Sequence, residues 1–501
     1  MNGIVMGIDV GTGGTRVLLL DDRGSIIASA TEDHEPFASP SLGWAEQHPD
    51  DWWRAAQIAI RKALRESNLP ASRISCVGLS GQMHGAVMLD ARGNVVRPAL
   101  IWCDVRTQAQ CDSLTAQLGR ECLIELTANP PLTNFTLTKL LWTRDNEPEN
   151  WRRVRKVMLP KDYVRFKLTG AVATDVADAS GTLMLNVARR KWCAEIMDAV
   201  DMPESLLPEL FESPAVCARI SPNGADASGL AAGTPVVAGA GDQAAGAVGM
   251  GTVMPGTVHA TIGTSGVVFA TTDRPVTDAR GRLHTFCHAV PERWHVMGVT
   301  QAAGLSLRWL RDNFYRACTK EAGDLYGQMI KDAETVPVTA EKLLWAPYLM
   351  GERTPYLDPE VRGAIVGLTA SHTRAHVIRA VLEGVAFSLK DTFLILQEMR
   401  IPVEHIRLGG GGARSAVWRR IQSEVYGREV EIVEAEEGAA YGAAILAGVG
   451  AAVWPSVDAA CASVVRVAER VDPDPGHVAI LSAQYARYRR LYPAMKSIYS
   501  S

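Results

Sequence analysis

The 501-residue chain contains no uninterrupted apolar run of about 18 residues, the length that a membrane-crossing helix requires. It carries little net charge. Its 51 basic and 55 acidic residues leave −4, so no basic balance points to nucleic acid or to an anionic membrane as partner. Nine cysteines lie scattered with no C-x-x-C pair, which reads as reduced thiols in a cytoplasmic protein. The opening MNGIVMGIDVG has no basic segment and enters a glycine turn too early for a signal peptide. No G-x-x-x-x-G-K-[ST] motif is present, which excludes a P-loop enzyme. One cluster, 284-HTFCH-288, offers metal-type ligands. No second cluster completes a tetrahedral set, so a packed strand is expected there.

What is present is globular composition, 47% hydrophobic and 21% charged, in a chain long enough for two large domains. The stretch 4-IVMGIDVGTGGTRVLLLDDRGSIIASATEDH-34 predicts three strands in an antiparallel meander. Trp52, Ala55, Ile58, Ile60 and Leu64 recur at helical spacing and predict a helix over 51–67. Strands are expected at 74–81 and 97–103, the second ending at Asp104 as cap of a helix that starts near Arg106. The second half restarts the theme. ATIGTSGVVFATTD echoes GIDVGTGGTRVLLLD, and 293–300 supplies a third strand. Such duplication predicts two similar α/β domains facing each other. The glycine-rich stretch around 245–257 marks the boundary, giving domains 1–245 and 246–501.

Four glycine-rich turns follow strands: 9-DVGTGGTR-16, 239-GAGDQA-244, 263-GTSG-266 and 409-GGGGARS-415. Such turns let backbone N–H groups converge on phosphate oxygens, although hairpins need glycine anyway. Two G-T-x-G turns in a repeated setting favour a polyphosphate gripped from both sides. The GAGDQA turn matches a loose dinucleotide fingerprint, but the ribose-binding acid about 20 residues on is missing. An acid inside a pyrophosphate loop would also repel its ligand. Asp9 and Asp242 occupy alike positions, each an acid at the end of an apolar strand beside glycines. Each could hold Mg²⁺ or take a proton from a hydroxyl, or simply form a turn. In 79-LSGQMHGAVMLD-90, Gln82, Met83 and His84 interrupt a core-like run at a strand end, a set suited to a polyhydroxy substrate, with Asp104 and Arg106 expected nearby.

These segments resemble the FGGY family of carbohydrate kinases. The matches run in order along nearly the whole chain: GIDVGTGGTRV at 7, GWAEQHPDDWW at 43, GLSGQMHG at 78, IWCDVRT at 101, TKLLW at 138, TDVADASGT at 174, GAGDQAAGAVG at 239, PYLMGERTP at 347 and LGGGGARS at 408. The stretch 363–383 fits the family's C-terminal signature at every required spacing, and Gly-Gln-Met-His-Gly is similar to its xylulose-phosphorylating branch. The resemblance implies two actin-like (ribonuclease-H-like) α/β ATPase domains with the active site in the cleft between them. The N-terminal one would bind sugar and the C-terminal one nucleotide. It implies ATP and Mg²⁺, a ketose acceptor such as D-xylulose at its 5-hydroxyl, and often a homodimer. Asp242 is then the general base and Asp9 the Mg²⁺ ligand. Gln82, Met83, His84, Asp104 and Gln243 face the sugar, while Gly11, Thr12, Gly263, Thr264, Gly410, Gly411, Gly412 and Ala413 face the nucleotide. The alternatives are the same chemistry on ribulose or xylitol, an actin-like ATPase without a sugar, and a non-catalytic sugar sensor.

Overall fold

The computed structural model of the chain describes residues 3–314, 324–434 and 438–499. β1 (Ile4–Val10) is apolar at nearly every position and almost wholly buried, as a strand covered on both faces should be. It pairs antiparallel with β2 (Gly14–Leu20), which pairs antiparallel with β3 (Ile26–Asp33). On the other side of β1 the strand Ile74–Gly81 runs parallel to it. Pro235–Val237 and Val216–Arg219 extend this sheet, and Ala240–Gly241 pairs with the end of Ile74–Gly81.

A second seven-stranded sheet repeats the plan. Gly256–Ile262 stands where β1 does, with Gly266–Thr272 antiparallel on one side and Val403–Gly410 parallel on the other. The expected duplication is therefore one of topology. Trp294–Thr300 and His284–Cys287 continue the sheet outward, so the HTFCH segment is a strand.

The helix α1 (Pro49–Ser67) covers the first sheet. Its inner face is Trp52, Trp53, Ala55, Ala56, Ala59, Ile60 and Ala63, while Ile58 is 38% exposed. The periodicity of large residues misjudged that face because alanines carry half of it. The helix expected near Arg106 begins at Gln108, behind Thr107. Asp104 lies ahead of the N-cap position, and its Oδ1 accepts the Arg106 backbone N–H at 3.1 Å as well as the Arg106 side chain.

Two helices join the halves. The linking helix Asp242–Gly249 leaves the end of the first sheet. The crossing helix Gly438–Gly450, GAAYGAAILAGVG, follows the second sheet but packs on the first. A Cβ added at Gly78 would stand 2.0 Å from the Ala443 carbonyl oxygen, and one at Gly442 would stand 1.8 Å from that of Ala245. Backbone lies on backbone, which only glycine permits. A separate core of Met83, Phe135, Leu137, Phe269, Phe286 and Met297 joins the region after residue 82 to the edge of the second sheet. Among the described residues no helix is long and apolar enough to cross a membrane.

Gly78→Ala must push the crossing helix off the sheet, because the obstructing atom is a carbonyl rather than a movable side chain. Overpacking of this kind costs about 1–3 kcal/mol. The thermal midpoint should fall by several degrees, as calorimetry would read; an unchanged midpoint would contradict the contact.

Candidate active site

The strand ends of both sheets converge on one cleft of about 1030 Å³. Asp9, Asp242 and Gln243 line it from the first half; Gly263, Ser265, Gly410, Gly411 and Ala413 line it from the second. Each hairpin turn is closed by its own backbone bond: Gly11 N–H to the Gly14 carbonyl at 3.0 Å, and Gly263 N–H to the Ser265 carbonyl at 2.9 Å. Gly410 adopts φ +71° against the end of Gly256–Ile262, where a Cβ would meet the Ile262 carbonyl oxygen at 2.6 Å. An adjoining hollow of about 750 Å³ shares Gly263 and Gly411 and is walled by Thr264, Gly412, Gly304, Arg308 and Trp418.

Asp242 is the first residue of the linking helix. Burial, with the Asp9 charge beside it, pushes its carboxyl up to about 7. Asp9 is also raised, chiefly by burial, and its Oδ1 is buried without a hydrogen-bond partner. Gln243 donates weakly to Asp242 Oδ1 at 3.5 Å. Two acids in one cleft, with no cation committed to Asp242, form a site ready for a proton or a cation.

Gly11 and Thr12 do not line that cleft in the way expected. The Thr12 hydroxyl accepts from Trp102 Nε1 at 2.9 Å, and its carbonyl accepts from Gln47 Nε2 at 2.8 Å. Gln82 is buried, donating to Gln47 Oε1 at 2.9 Å and to the Gly11 carbonyl at 3.3 Å. It braces the first turn. His84 sits at φ +68° with Nδ1 2.7 Å from the Gly181 carbonyl oxygen. A carbonyl only accepts, so Nδ1 carries the proton and Nε2 is left as an acceptor. Burial lowers its pKa to about 3, so the ring is neutral. Met83 packs beside it under Gly181 and Gly241.

Asp104 is the clear departure. It is fully buried, accepts Ala45 N–H at 2.6 Å, and is forked by the Arg106 guanidinium at 2.7–3.0 Å. That guanidinium stacks 3.6 Å over Trp44. No oxygen of Asp104 is left for a sugar; its work is to hold the turn that carries Trp102. An acid after an apolar run cannot be told from a buried ion-pair member by sequence alone.

Trp102 itself was not singled out. It is 38% exposed, tied to Thr12, and a large exposed ring at a strand end is the signal that marks it. Arg353, from the second half, comes close enough to His84 and His284 to depress both imidazoles. The hollow walled by Gly304 and Trp418 needed tertiary information. For the HTFCH cluster, His284 Nδ1 meets Asn129 Oδ1 at 3.0 Å and His288 Nε2 meets the Thr252 carbonyl at 3.0 Å. Among the described residues no group of three metal-ligating side chains assembles.

Family models agree with this architecture. The FGGY family of carbohydrate kinases matches twice, its N-terminal domain over residues 4–249 and its C-terminal domain over 258–451. A xylulose kinase of Bacillus subtilis is 35% identical over 99% of this chain and 96% of its own length. A gluconokinase of the same organism is 32% identical over 89% of this chain and 87% of its own. The crystal structure of a "xyloylose kinase" from Brucella ovis superposes with TM-score 0.91 at 34% identity, covering 99% and 100% of the two chains.

Asp242 also affects stability. Its folded pKa of about 7 lies above the ordinary 3.8, so the folded chain holds a proton that the unfolded chain releases between those values. Stability from this group is therefore full below about pH 4 and lost as pH rises through 7. Asp242→Asn removes that loss. Its thermal midpoint should exceed the wild type's by more at pH 8.5 than at pH 5; equal gains at both would contradict the raised pKa.

Proposed function

The chain belongs to the FGGY family of carbohydrate kinases, and we propose that this ATP-dependent sugar kinase phosphorylates D-xylulose at its 5-hydroxyl with Asp242 as general base. The observation that carries the reading is Asp242 itself: a carboxylate poised near pH 7 at the meeting point of both halves. A base of that pKa takes a hydroxyl proton as the oxygen attacks, without holding the proton tightly afterwards. The hydroxyl oxygen bonds to the γ-phosphorus, the bond to the β–γ bridging oxygen breaks, and Asp242 receives the proton.

The remaining residues position and neutralise, which is most of what phosphoryl transfer needs. The glycine turns at 263–265 and 410–413 allow close backbone approach to a triphosphate, with the nucleoside in the adjoining hollow. Mg²⁺ suits the acidic end of the cleft. Asp9 offers an unpartnered oxygen, which suits an ion held largely by water and phosphate. When bound, it would neutralise charge on the transferring group. His84, through Nε2, accepts from a sugar hydroxyl, Met83 gives an apolar wall, and Trp102 a ring face.

D-xylulose is preferred because the similar full-length relatives include a xylulose kinase. A sugar acid stands second, since a gluconokinase is also similar and Arg353 brings a cation beside His84. Phosphoryl transfer from ATP to D-xylulose, D-ribulose, xylitol and gluconate separates these. The highest kcat/KM should fall on D-xylulose; background rates there with a strong rate on another acceptor would overturn the substrate.

Asp242→Ala should cut transfer at least 100-fold, the low end for a general base; more than a tenth of the activity surviving would rule out that role. In the wild type, kcat/KM for the sugar should rise about tenfold per pH unit up to about 7 and then level, because the base must be deprotonated. A flat profile between pH 5.5 and 8 would contradict it.

A further inference from the structure

Lys139 lies on the helix Thr136–Asn146 and is fully buried. It forms no ion pair among the described residues. The nearest opposing charge is Asp104, which is already committed to Arg106. An ammonium so placed is costlier than a methionine of similar length. What it supplies is directed donors. Nζ donates to the His84 carbonyl at 2.8 Å and to the Asn134 carbonyl at 2.7 Å. The Thr136 hydroxyl donates to the same His84 carbonyl at 3.2 Å, filling its second lone pair. His84 has the left-handed backbone that a side-chain-bearing residue rarely adopts, φ +68°. Three hydrogen bonds therefore converge on one residue: two on its carbonyl, one from its ring to Gly181.

We propose that Lys139, with Thr136, is the positioning element of the sugar pocket: it fixes the strained His84 peptide and thereby aims the imidazole Nε2 at the acceptor. The inference rests on His84 contacting the sugar, as above. Burial lowers the lysine pKa to about 7, and in either protonation state Nζ keeps N–H donors for the two carbonyls. It touches no residue of the nucleotide cleft, so its effect belongs to the sugar and not to ATP.

The test is steady-state kinetics on full-length Lys139→Met, Lys139→Arg, Thr136→Val and His84→Ala, with D-xylulose or the preferred sugar of the panel. Lys139→Met should raise the sugar KM at least tenfold and leave the ATP KM within twofold. Thr136→Val keeps the volume and removes one donor; it should raise the sugar KM about threefold. Lys139→Arg, which keeps charged donors, should recover part of the loss. Sugar KM within twofold of wild type in both Lys139→Met and Thr136→Val, or an ATP KM that rises as much as the sugar KM, would overturn the proposal. If Lys139→Met does not fold, Thr136→Val decides by the same criterion. His84→Ala separates the two claims. An unchanged sugar KM there sinks the pocket reading itself; a raised one, with silent Lys139 and Thr136 variants, sinks only this inference.

Discussion

Contact of backbone on backbone, between the crossing helix and the first sheet, sets the geometry of the cleft. At Gly7, Gly78 and Gly442 no side chain intervenes, and the obstructing atoms are carbonyl oxygens. Side chains can change rotamer to absorb a small shift; carbonyl groups in a helix cannot. The crossing helix therefore carries the end of β1, with Asp9, and the linking helix, with Asp242, as one piece. The linking helix packs on its other flank through Gly249 and Gly442. The chain passes between its halves at these two helices, and both pack against each other at the cleft.

Charge is handled in two contrasting ways around that piece. Beneath Gly81 and Gly241 lies a fully buried set of Lys161, Arg165, Asp162, Asp175 and Asp178. Lys161 reaches two of the carboxylates at 2.6 Å, and Arg165 donates to the Ala238 carbonyl at 2.5 Å. Buried ion groups of this kind add little net stability compared with apolar packing. Their effect here is local. Arg165 holds the backbone four residues before Asp242, and Asp178 Oδ1 would stand 3.0 Å from a Cβ at Gly241. Asp162, with two cations, is lowered, although burial raises its neighbours Asp175 and Asp178, and Asp242, with no cation beside it, is raised to about 7. The same side-chain type is made inert in one place and basic in the other by what surrounds it.

Much of this was legible in the sequence, where local patterns coincide with tertiary demands. β1, β2 and the strand Ile74–Gly81 follow apolar runs bounded by glycine, and the repeat of the G-T-x-G turn announced the repeated sheet. Asp242 stood out because nothing in a run of small residues calls for an acid. What failed was burial of polar groups. Asp104 and Asp9 look alike as acids after apolar runs, yet one is saturated by Arg106 and the other is not. Ile58 faces out because alanines 55, 56, 59 and 63 supply the packing face, and alanine barely registers in a hydrophobic period. Nothing in the sequence marks Lys139 as buried; its burial and its carbonyl partners, at Asn134 and distant His84, show it.

The chemistry of the pocket then follows from where charge is and is not allowed. In the proposed sugar site the contacting groups are uncharged and directional, His84 with Nε2 as acceptor, the Gln243 amide and the Trp102 ring, while Lys139 and Arg353 supply positive charge near His84. At the reacting end Asp9 and Asp242 line the cleft together. A site of neutral donors and acceptors selects a polyhydroxy compound by hydroxyl geometry, because an analogue lacking a hydroxyl leaves a buried partner unpaired. Such selection works only if those partners cannot swing to find other bonds. That requirement explains the rigid frame of Gln47, Gln82, Trp52 and Thr12 under the first turn, whose members bond chiefly to one another. It also explains why His84, with its left-handed backbone, is held from both its ring and its carbonyl.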